Sequence, residues 1–371
     1  MDVSIFIPVY KETNQLVGML KELGSQNVSK EIFVTVDEPT DDLSEEIKQL
    51  QKVQTENVHF IVNKERIGKA NALNRTFKLS SGKVLLFLDS DVGIPNDPDY
   101  LRKIIMEMQH TDILDIKKKV TKGKSFLSKM AYYEYFTYNI SAWISSRYLH
   151  KCPAVNGAAF AIKREMFKKI HGFRTAVAED IDLATRAFLA DSSFAYTHDV
   201  EVKNEVHSDW RKWFVQRRRW SIGQALWLKD WYKQLARRFI KKPQVFLPSI
   251  FFLYPSVVVF VLSAVIPGLW VYNSLLVFSL FLSVKFNIAL PLFILSLSTA
   301  DLVKVLLISM AGFAFTAAVF YGFSKKLGFQ IKLHELFVYY FFYSSIWMVL
   351  IIIGHIQVFA LGKKTGPGWK T

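Results

Sequence analysis

Several acidic residues stand where they could bind a metal ion or move a proton. Asp89 and Asp91 follow the apolar run Val84–Leu88 and are separated by one residue. Two carboxylates that leave a buried strand at this spacing turn toward one cleft. Mg²⁺ and Mn²⁺ prefer such carboxylates together with phosphate oxygens of a substrate. The alternative is a solvated loop with incidental acids, and the strand before Asp89 favours the metal site.

A second acidic group opens a helical pattern. Glu179, Asp180 and Asp182 come directly before the apolar stretch Leu183–Leu189. Acids at a helix start often serve only as caps or as partners of the helix dipole. The functional interpretation is that one of them is a general base, which takes a proton from an acceptor hydroxyl.

Lys69 lies in a segment, Ile67–Asn74, in which Gly68 opens a predicted helix. A lysine at a helix N-terminus can hold a phosphate or the edge of a nucleotide, because the exposed amides and the helix dipole favour anions. An ordinary surface lysine is the other interpretation of Lys69.

Short strands and helices alternate around these residues. The predicted strands are Val3–Val9, Ile32–Val36, Val58–Val62 and Val84–Leu88, and the helical patterns between them are Glu12–Leu23, Asp41–Gln51 and Gly68–Leu79. This alternation predicts a parallel α/β sheet that is covered on both faces. Ligands of such sheets bind beyond the carboxyl ends of the strands. Asp37, Asp89 and Asp91 lie at those ends.

The 371-residue chain divides into a polar and an apolar half. The formal net charge is +15, of which only +6 lies between Val245 and Thr371, where Asp301 and Glu335 are the acids. The mean hydropathy of +0.18 comes from this second half. A wholly soluble protein is therefore excluded.

The apolar half contains four stretches of about the length that crosses a bilayer. They are Phe246–Tyr272, Leu275–Ser298, Leu302–Phe323 and Leu336–Leu361. Basic residues before the first stretch and after the last place both ends in the cytoplasm, which requires an even number of crossings. The sequence predicts an integral, multi-pass membrane protein with a cytoplasmic polar half, and the spans are either an anchor or a site for a lipid acceptor or a product.

The stretch Trp210–Trp231 combines tryptophans at near-helical spacing with basic residues. Between Arg211 and Lys242 there are eleven basic residues and one acid, Asp230. This pattern predicts a helix that lies in the membrane interface, with its tryptophans at headgroup depth. Basic and aromatic interleaving also suits single-stranded nucleic acid. We expect no nucleic-acid partner, because the stretch runs directly into an apolar span and the presumed cleft is acidic.

The cysteine content and the motif spacing argue against a disulfide framework and against a structural zinc site. Cys152 is the single cysteine, so no internal disulfide forms, and no CxxC or HExxH spacing indicates a structural zinc site. The first residues have neither a basic region nor an apolar stretch of signal-peptide length, which favours a cytoplasmic location for the polar half.

Taken in order, these motifs resemble a membrane-integrated family 2 glycosyltransferase with the GT-A fold. The strand that ends in Ile7-Pro8-Val9-Tyr10-Lys11-Glu12 resembles the family's nucleotide pocket, and Gly68–Asn74 resembles its GKxxALN segment. Asp89-Ser90-Asp91 resembles its DxD motif and Glu179-Asp180 its ED pair. Gln216–Trp220 resembles QxxRW, typical of the branch with cellulose, chitin and hyaluronan synthases and glucosylceramide synthase.

The resemblance implies a role for each matching residue. The nucleotide sugar would contact Pro8, Tyr10, Glu12, Asp37, Lys69, Asp89 and Arg219, and the metal would be bound by Asp89 and Asp91, with His207 as a further candidate. Asp180 would be the base beside Glu179. The acceptor would contact Gly157, Gln216 and Trp220. In the same way Arg164 and Glu165 would help to shape the acceptor entrance. The chain departs from the family at Ala178, where a threonine is usual, and at Glu205–His207, where many members have a proline.

The implied organisation has three parts. They are a cytoplasmic GT-A domain with a Rossmann-like α/β fold at residues 1–208, an interfacial helix with QxxRW at 209–244, and about four transmembrane helices at 245–371. The implied reaction moves a sugar from a nucleotide sugar, with uridine as the expected nucleotide, to a membrane lipid or growing glycan. It forms a β-glycosidic bond with inversion and uses Mg²⁺ or Mn²⁺.

Three questions remain open from the sequence. The acceptor is either a lipid or a polysaccharide, with a polyprenyl phosphate as a third choice. A non-enzymatic membrane protein is the alternative of a different class, and it predicts no binding of nucleotide sugars. Assembly into a homo-oligomer is the third open question.

Overall fold

The apolar runs of the first ninety residues form the parallel part of a sheet. A computed structural model describes residues 1–10, 15–53, 57–121, 123–206, 208–253, 255–265, 269–286 and 289–364. The first four strands are β1 (Val3–Tyr10), β2 (Lys30–Asp37), β3 (Val58–Asn63) and β4 (Val84–Leu88). Parallel pairs join β1 to β2, β2 to β3 and β1 to β4. The four predicted strands are confirmed, with ends that differ by at most two residues.

Four later strands make the sheet mixed instead of wholly parallel. They are β5 (Val92–Gly93), β6 (Ile113–Val120), β7 (Ala159–Lys163) and β8 (Phe194–Asn204), and the eight strands lie in the order β3-β2-β1-β4-β7-β6-β8-β5. Strand β7 runs antiparallel to both β4 and β6. Its first residues therefore lie beside the last residues of β4, which is the end that carries Asp89.

A row of phenylalanines crosses one face of this sheet. Phe6 stacks on Phe33 at 5.6 Å and on Phe87 at 4.9 Å between ring centroids, and Phe87 stacks on Phe160 at 5.1 Å. These rings lie directly opposite one another in the strand register. Cross-strand aromatic pairs stabilise a sheet, and this row fixes the register of β4, two residues before Asp89.

Helices cover the sheet and continue the chain beyond it. In the first 241 residues they are α1 (Leu16–Gly24), α2 (Asp41–Val53), α3 (Lys69–Phe77), α4 (Tyr100–Glu107), α5 (Phe126–Ile144), α6 (Arg164–Lys169), α7 (Glu179–Leu189) and α8 (Trp210–Lys241). A π-helical turn, Ser145–Leu149, extends α5. The predicted helices at 12–23, 41–51 and 68–79 correspond to α1, α2 and α3.

Helix α8 packs on helices α5 and α7 through its aromatic and basic side chains. Trp213 is buried, and the indole N–H groups of Trp227 and Trp231 donate hydrogen bonds to α7. The guanidinium of Arg217 meets the carboxylate of Glu134 in α5 through two contacts of 2.6 Å, with both side chains under 5% exposed. Three of the tryptophans predicted at headgroup depth thus contact protein, because the N–H groups of Trp227 and Trp231 find partners in α7 and the ring of Trp213 contacts other residues of α8.

By its internal contacts the chain divides into two units, Met1–Pro248 with Val349–Thr371, and Ser249–Met348. Helix α8 belongs to the first unit. The last helices are α9 (Leu247–Leu253), α10 (Pro255–Val265), α11 (Leu269–Phe286), α12 (Ala289–Leu327), α13 (Leu333–Val338) and α14 (Ser344–Phe359), with a π-helical turn at Tyr339–Tyr343. In the second unit the ring of Phe313 contacts Phe337, Tyr340 and Phe341 at 5.5–5.6 Å.

Two helical stretches are long and apolar enough to cross a membrane, Leu302–Leu327 and Leu333–Phe359. They match the third and fourth predicted spans. Among the described residues, the first two predicted spans are not single helices of the expected length, because they overlap α9, α10, α11 and the start of α12 and include residues outside the description. The count of four crossings stays a prediction.

The Arg217–Glu134 pair generates a prediction about stability. Arg217→Met removes the cation that faces the buried Glu134 carboxylate, which still accepts from the Tyr138 hydroxyl at 3.0 Å. Loss of the opposite charge from a buried ion pair costs about 3–5 kcal/mol of unfolding free energy. Arg218 is exposed on the same helix, so Arg218→Met is the matched control. We expect a large drop in the midpoint of chemical denaturation for the purified full chain with Arg217→Met only. Equal midpoints for the two variants would contradict the prediction.

Candidate active site

The candidate site is a cleft at the carboxyl ends of β1 and β4 and the start of β7. The amide of Asp89 donates to the carbonyl of Ala158 at 2.9 Å, which continues the β4–β7 pairing past the last strand residues. The cleft is lined by Pro8, Lys69, Leu73, Phe87, Leu88, Asp89, Gly157, Phe160, Phe173, Glu179 and Asp180. The structure thus brings six of the predicted site residues together in one place.

Lys69 connects the two acidic motifs of this cleft. Its ammonium lies 2.7 Å from Oδ1 of Asp89 and 2.9 Å from Oε1 of Glu179. Burial acts to lower the pKa of Lys69, but the carboxylates of Asp89, Glu179 and Asp180 outweigh burial and leave that pKa raised. Lys69 is therefore a permanent cation at a point that the DxD and ED motifs share.

Asp180 is held by backbone amides at the start of α7. Its Oδ2 accepts from the amide of Gly157 at 2.7 Å, and its Oδ1 accepts from the amide of Ile181 at 2.8 Å. Burial, followed by the charge of Glu179, raises the pKa of Asp180 to about 6. A carboxyl with a pKa near the working pH is suited to general base catalysis.

Gly157 is required by this arrangement. A Cβ at this position would lie 2.6 Å from Oδ2 of Asp180 and 3.0 Å from its Cγ. The contact joins the loop before β7 to the first turn of α7, although the two residues are 23 positions apart in sequence.

Asp89 and Asp91 have the chemistry of a magnesium or manganese site. Loss of hydration and the charge of Asp89 raise the pKa of Asp91 to about 6, as expected for carboxylates that repel each other. A divalent cation would relieve this repulsion. Among the described residues no three His, Cys, Asp or Glu side chains lie close enough to share one ion. Two protein carboxylates with phosphate oxygens and water are what Mg²⁺ commonly uses, so the pair fits such an ion.

Glu205 is an acid near this pair that the sequence did not single out as a site residue. Strand β5 pairs antiparallel with β8, with Val92 opposite Asn204, so the next residues outward are Asp91 and Glu205. Gln15 donates a 2.6 Å hydrogen bond to the Glu205 carboxylate. The charge of Glu205 also contributes to the raised pKa of Asp91. Only the β5–β8 pairing could have identified it.

Asp37 is buried and organises the turn before α3. Its carboxylate accepts from the amides of Gly68 at 2.9 Å and Ile67 at 3.2 Å, and from Nδ2 of Asn63 at 2.8 Å. Gly68 has a φ of +88°, a conformation that glycine adopts without strain. In the structure Asp37 thus supports the turn that presents Lys69, and its contact with the nucleotide sugar stays a prediction.

Asn74 holds the loop that closes one side of the cleft. Its side-chain amide donates to the carbonyl of Phe173 at 2.7 Å and accepts from the amide of Phe173 at 2.9 Å. Gly172 has a φ of +68°, and a Cβ there would lie 2.5 Å from Oδ1 of Asn74. The asparagine of the GKxxALN segment is therefore a structural link to a residue 99 positions later.

The nucleotide-pocket strand ends in an exposed aromatic residue. The guanidinium of Arg66 lies 4.2 Å from the ring centroid of Tyr10, and the Tyr10 hydroxyl donates to Glu38 at 3.2 Å. Pro8 lines the cleft two residues earlier. Of the other predicted residues, Glu12 and His207 lie outside the described residues.

The QxxRW segment lies on α8, and only part of it faces the protein. Gln216 and Trp220 are half-buried, whereas Arg219 is exposed. Arg217 is the buried arginine, and its guanidinium lies 4.3 Å from the Trp220 ring centroid. Helical spacing from Trp213 could have identified Arg217 as the inward-facing residue. The roles of Gln216, Arg219 and Trp220 stay predictions.

Arg164 does not belong to this cleft. It follows β7, whose last residue Lys163 pairs with Val84 at the start of β4, so Arg164 lies at the opposite end of the sheet. Its Nε donates to the carbonyl of Gly82. The expectation that the Arg164-Glu165 segment shapes the acceptor entrance is wrong for Arg164. Strand β7 begins at the cleft edge of the sheet and ends at the opposite edge, where Arg164 follows it.

Comparison with known proteins agrees with this geometry. Residues 1–223 match the family model described as "Glycosyltransferase like family 2". The chain belongs to this family. The family membership confirms the prediction of a glycosyltransferase and, with the fold, the GT-A-like α/β architecture. The QxxRW branch and membrane integration stay predictions for this family 2 glycosyltransferase.

Two relatives show how the similarity is distributed. The chain is 31% identical to "Probable glucomannan 4-beta-mannosyltransferase 3" of Arabidopsis thaliana over 61% of its own length and 43% of the relative's. It is 24% identical to "Probable glycosyltransferase YdaM" of Bacillus subtilis (strain 168) over 94% of its length and 81% of the relative's. The chain thus spans less than half of the first plant relative.

A solved structure shares the fold. The mannosyltransferase PcManGT from Pyrobaculum calidifontis, in complex with GDP-Man and Mn²⁺, superposes with a TM-score of 0.52. The match covers 82% of this chain and 86% of PcManGT at 17% sequence identity.

The close approach at Gly157 generates a prediction about activity. Gly157→Ala pushes Asp180 out of position, and a displacement of about 1 Å in a reacting group can cost 10²-fold in rate. We expect sugar transfer to fall by about that factor while nucleotide binding at saturating Mn²⁺ is retained, measured on the purified full chain. Gly18→Ala on α1, where the added Cβ meets nothing within 4 Å, is the control. Wild-type transfer by Gly157→Ala would contradict the prediction.

Proposed function

We propose that this protein transfers a sugar, with inversion, from a nucleotide sugar to a hydroxyl of a membrane lipid or growing glycan. Family membership supports the reaction class. The observation that carries the proposal is the position of Lys69, whose ammonium contacts both the DxD motif at Asp89 and the ED pair at Glu179. A donor bound at Asp89 and a base in the ED pair would both lie close to Lys69. The base could then activate an acceptor hydroxyl that attacks the anomeric carbon of that donor.

In this proposal each charged group of the cleft has one task. Lys69 neutralises the donor diphosphate. Asp89 and Asp91 would hold Mg²⁺ or Mn²⁺, which when bound stabilises negative charge on the leaving diphosphate. Asp180 accepts the proton of the acceptor hydroxyl through the carboxylate that Gly157 orients. The hydroxyl oxygen forms the new bond as the bond to the diphosphate breaks, so an α-linked donor gives a β-glycoside.

A mannosyl donor has the best support among the sugars. The Arabidopsis relative with 31% identity is named as a glucomannan 4-beta-mannosyltransferase. The alignment extends over 243 residues and covers 61% of this chain. We therefore propose a nucleotide-linked mannose as the first donor to test, and the uridine nucleotide expected from the sequence as the second.

We propose a membrane-associated site for the reaction. The stretches Leu302–Leu327 and Leu333–Phe359 are apolar enough to cross a bilayer, and the match to YdaM covers 94% of this chain. A location at the membrane favours a lipid or a growing glycan as the acceptor. A polyprenyl phosphate is the alternative acceptor within the same reaction class.

The decisive assay offers radiolabelled GDP- and UDP-sugars, with mixed membrane lipids and Mn²⁺ or Mg²⁺, to the purified full chain in nanodiscs. We expect transfer from GDP-mannose, because the Arabidopsis relative is named as a mannosyltransferase and PcManGT is in complex with GDP-Man. Label in the organic phase identifies a lipid acceptor, and label in an aqueous polymer identifies a glycan. If no donor releases its nucleotide, the proposal is wrong.

Two variants separate the proposed tasks within that assay. Asp180→Asn is expected to abolish transfer and to retain nucleotide binding, because only the base is lost. Asp91→Ala is expected to weaken metal-dependent nucleotide binding. Wild-type transfer by Asp180→Asn would remove Asp180 as the base, and unchanged metal dependence in Asp91→Ala would remove Asp91 as a ligand.

The raised pKa of Asp180, about 6, predicts the pH dependence of the reaction. The base must be ionised to accept a proton, so its active fraction falls as the pH decreases through 6. We expect kcat/KM for the donor at saturating Mn²⁺ to be constant above pH 7 and to fall about tenfold per pH unit well below 6. Saturating metal keeps Asp91 ionised, and nucleotide binding at each pH is the control. A flat profile from pH 5 to 7 would contradict the assignment.

A further inference from the structure

The helix that carries Asp180 receives indole hydrogen bonds from α8. Trp231 Nε1 donates to Oδ1 of Asp182 at 2.9 Å, and Trp227 Nε1 donates to Oγ1 of Thr185 at 2.9 Å. Asp182 and Thr185 are one helical turn apart, so both bonds hold the same side of α7. The two tryptophans are four residues apart on α8, which is also about one helical turn. Two parallel contacts of this kind restrict rotation of α7 about its own axis.

The acceptors of these bonds are buried and have further partners. Asp182 is 3% exposed, and its Oδ2 accepts from Nε of Arg186 at 2.8 Å. Thr185 is fully buried and donates to the carbonyl of Pro153 at 3.0 Å. Loss of an indole donor would leave a buried acceptor short of a hydrogen bond, which costs more than the loss of a bond at the surface.

Helix α8 also contacts the residues just before α7. A Cβ at Gly223 would lie 3.2 Å from Val177 and 3.4 Å from Ala178, and Ala178 is the N-cap residue of α7. Asp180 stands between this contact and the bond to Asp182. Helix α8 therefore touches α7 on both sides of Asp180 along the chain.

We propose that Trp227 and Trp231 are positioning residues, whose indole N–H groups hold α7 in the orientation that keeps Asp180 on the Gly157 amide and directed into the cleft. The inference rests on the proposed function, in which Asp180 is the base. It assigns these tryptophans to the reaction, in place of the headgroup contact that their sequence pattern predicts.

The test replaces each donor while keeping an aromatic ring. Trp231→Phe and Trp227→Phe remove the N–H groups, and Tyr232→Phe is the matched control, because it removes one polar hydrogen from an exposed aromatic residue on the same helix. We expect Trp231→Phe to lower kcat at least fivefold with an unchanged KM for the donor and unchanged metal-dependent nucleotide binding. We expect no change for Tyr232→Phe.

A second measurement does not depend on activity. Hydrogen–deuterium exchange of the full chain should show faster exchange of the α7 amides in Trp231→Phe and Trp227→Phe, with the sheet amides unchanged. In an Asp182→Ala background, Trp231→Phe should produce no further loss of kcat, because the bond is already absent.

The outcomes separate this inference from the function on which it rests. Unchanged exchange in α7 overturns the inference, whether or not sugar is transferred. Faster exchange with an unchanged kcat also overturns it, because α7 would then be held without consequence for Asp180. A wild-type chain that transfers no sugar from any donor overturns the proposed function, and the exchange data still decide whether the indoles hold α7.

Discussion

The ammonium of Lys69, set among three carboxylates, is the interaction on which the rest of the cleft depends. Asp89, Glu179 and Asp180 come from two elements that are 90 residues apart, and without a cation between them their charges would repel. Burial alone would lower the pKa of Lys69, so the carboxylates keep the lysine charged as much as the lysine keeps them together. The buried carboxylate of Asp37 accepts from the Gly68 amide and so shapes the turn that presents Lys69.

The long helix α8 makes more contacts with helices α5 and α7 than its composition suggests. Its basic and aromatic residues have the composition of a membrane-surface helix, yet the inward side carries the Arg217–Glu134 pair and two indole donors. Glycines allow this packing at two points, because a Cβ at Gly223 would approach Val177 and a Cβ at Gly354 would lie 2.7 Å from Oγ of Ser221. Most of the remaining basic residues of α8 are exposed to solvent, whereas half-buried Arg238 donates to the carbonyl of Leu189 in α7 at 3.2 Å.

Sequence reasoning identified the acids of the site because their positions follow from local rules. A strand that ends in the core delivers its next residues to the edge of the sheet, so Asp89 and Asp91 could be placed from the pattern of β4 alone. The same reasoning could not find Glu205, which approaches Asp91 only because β5 pairs with β8. It also singled out Arg219 within a run of three arginines, whereas the helix turns Arg217 inward.

Residue types and their spacing are sufficient to predict the four parallel strands, the acidic residues at their ends, the glycine before Lys69 and the division into a polar and an apolar half. These features depend on residue type and on hydrophobic periods of two or 3.6 residues, both of which can be recognised in a short segment of sequence. Four features are visible only in the folded chain: β7 runs antiparallel, Gly157 meets Asp180, Arg164 lies at the far edge of the sheet, and the tryptophans of α8 contact α7. Such contacts join segments far apart in the chain, and their free energy comes from burial and hydrogen bonds that exist only once both segments are in place.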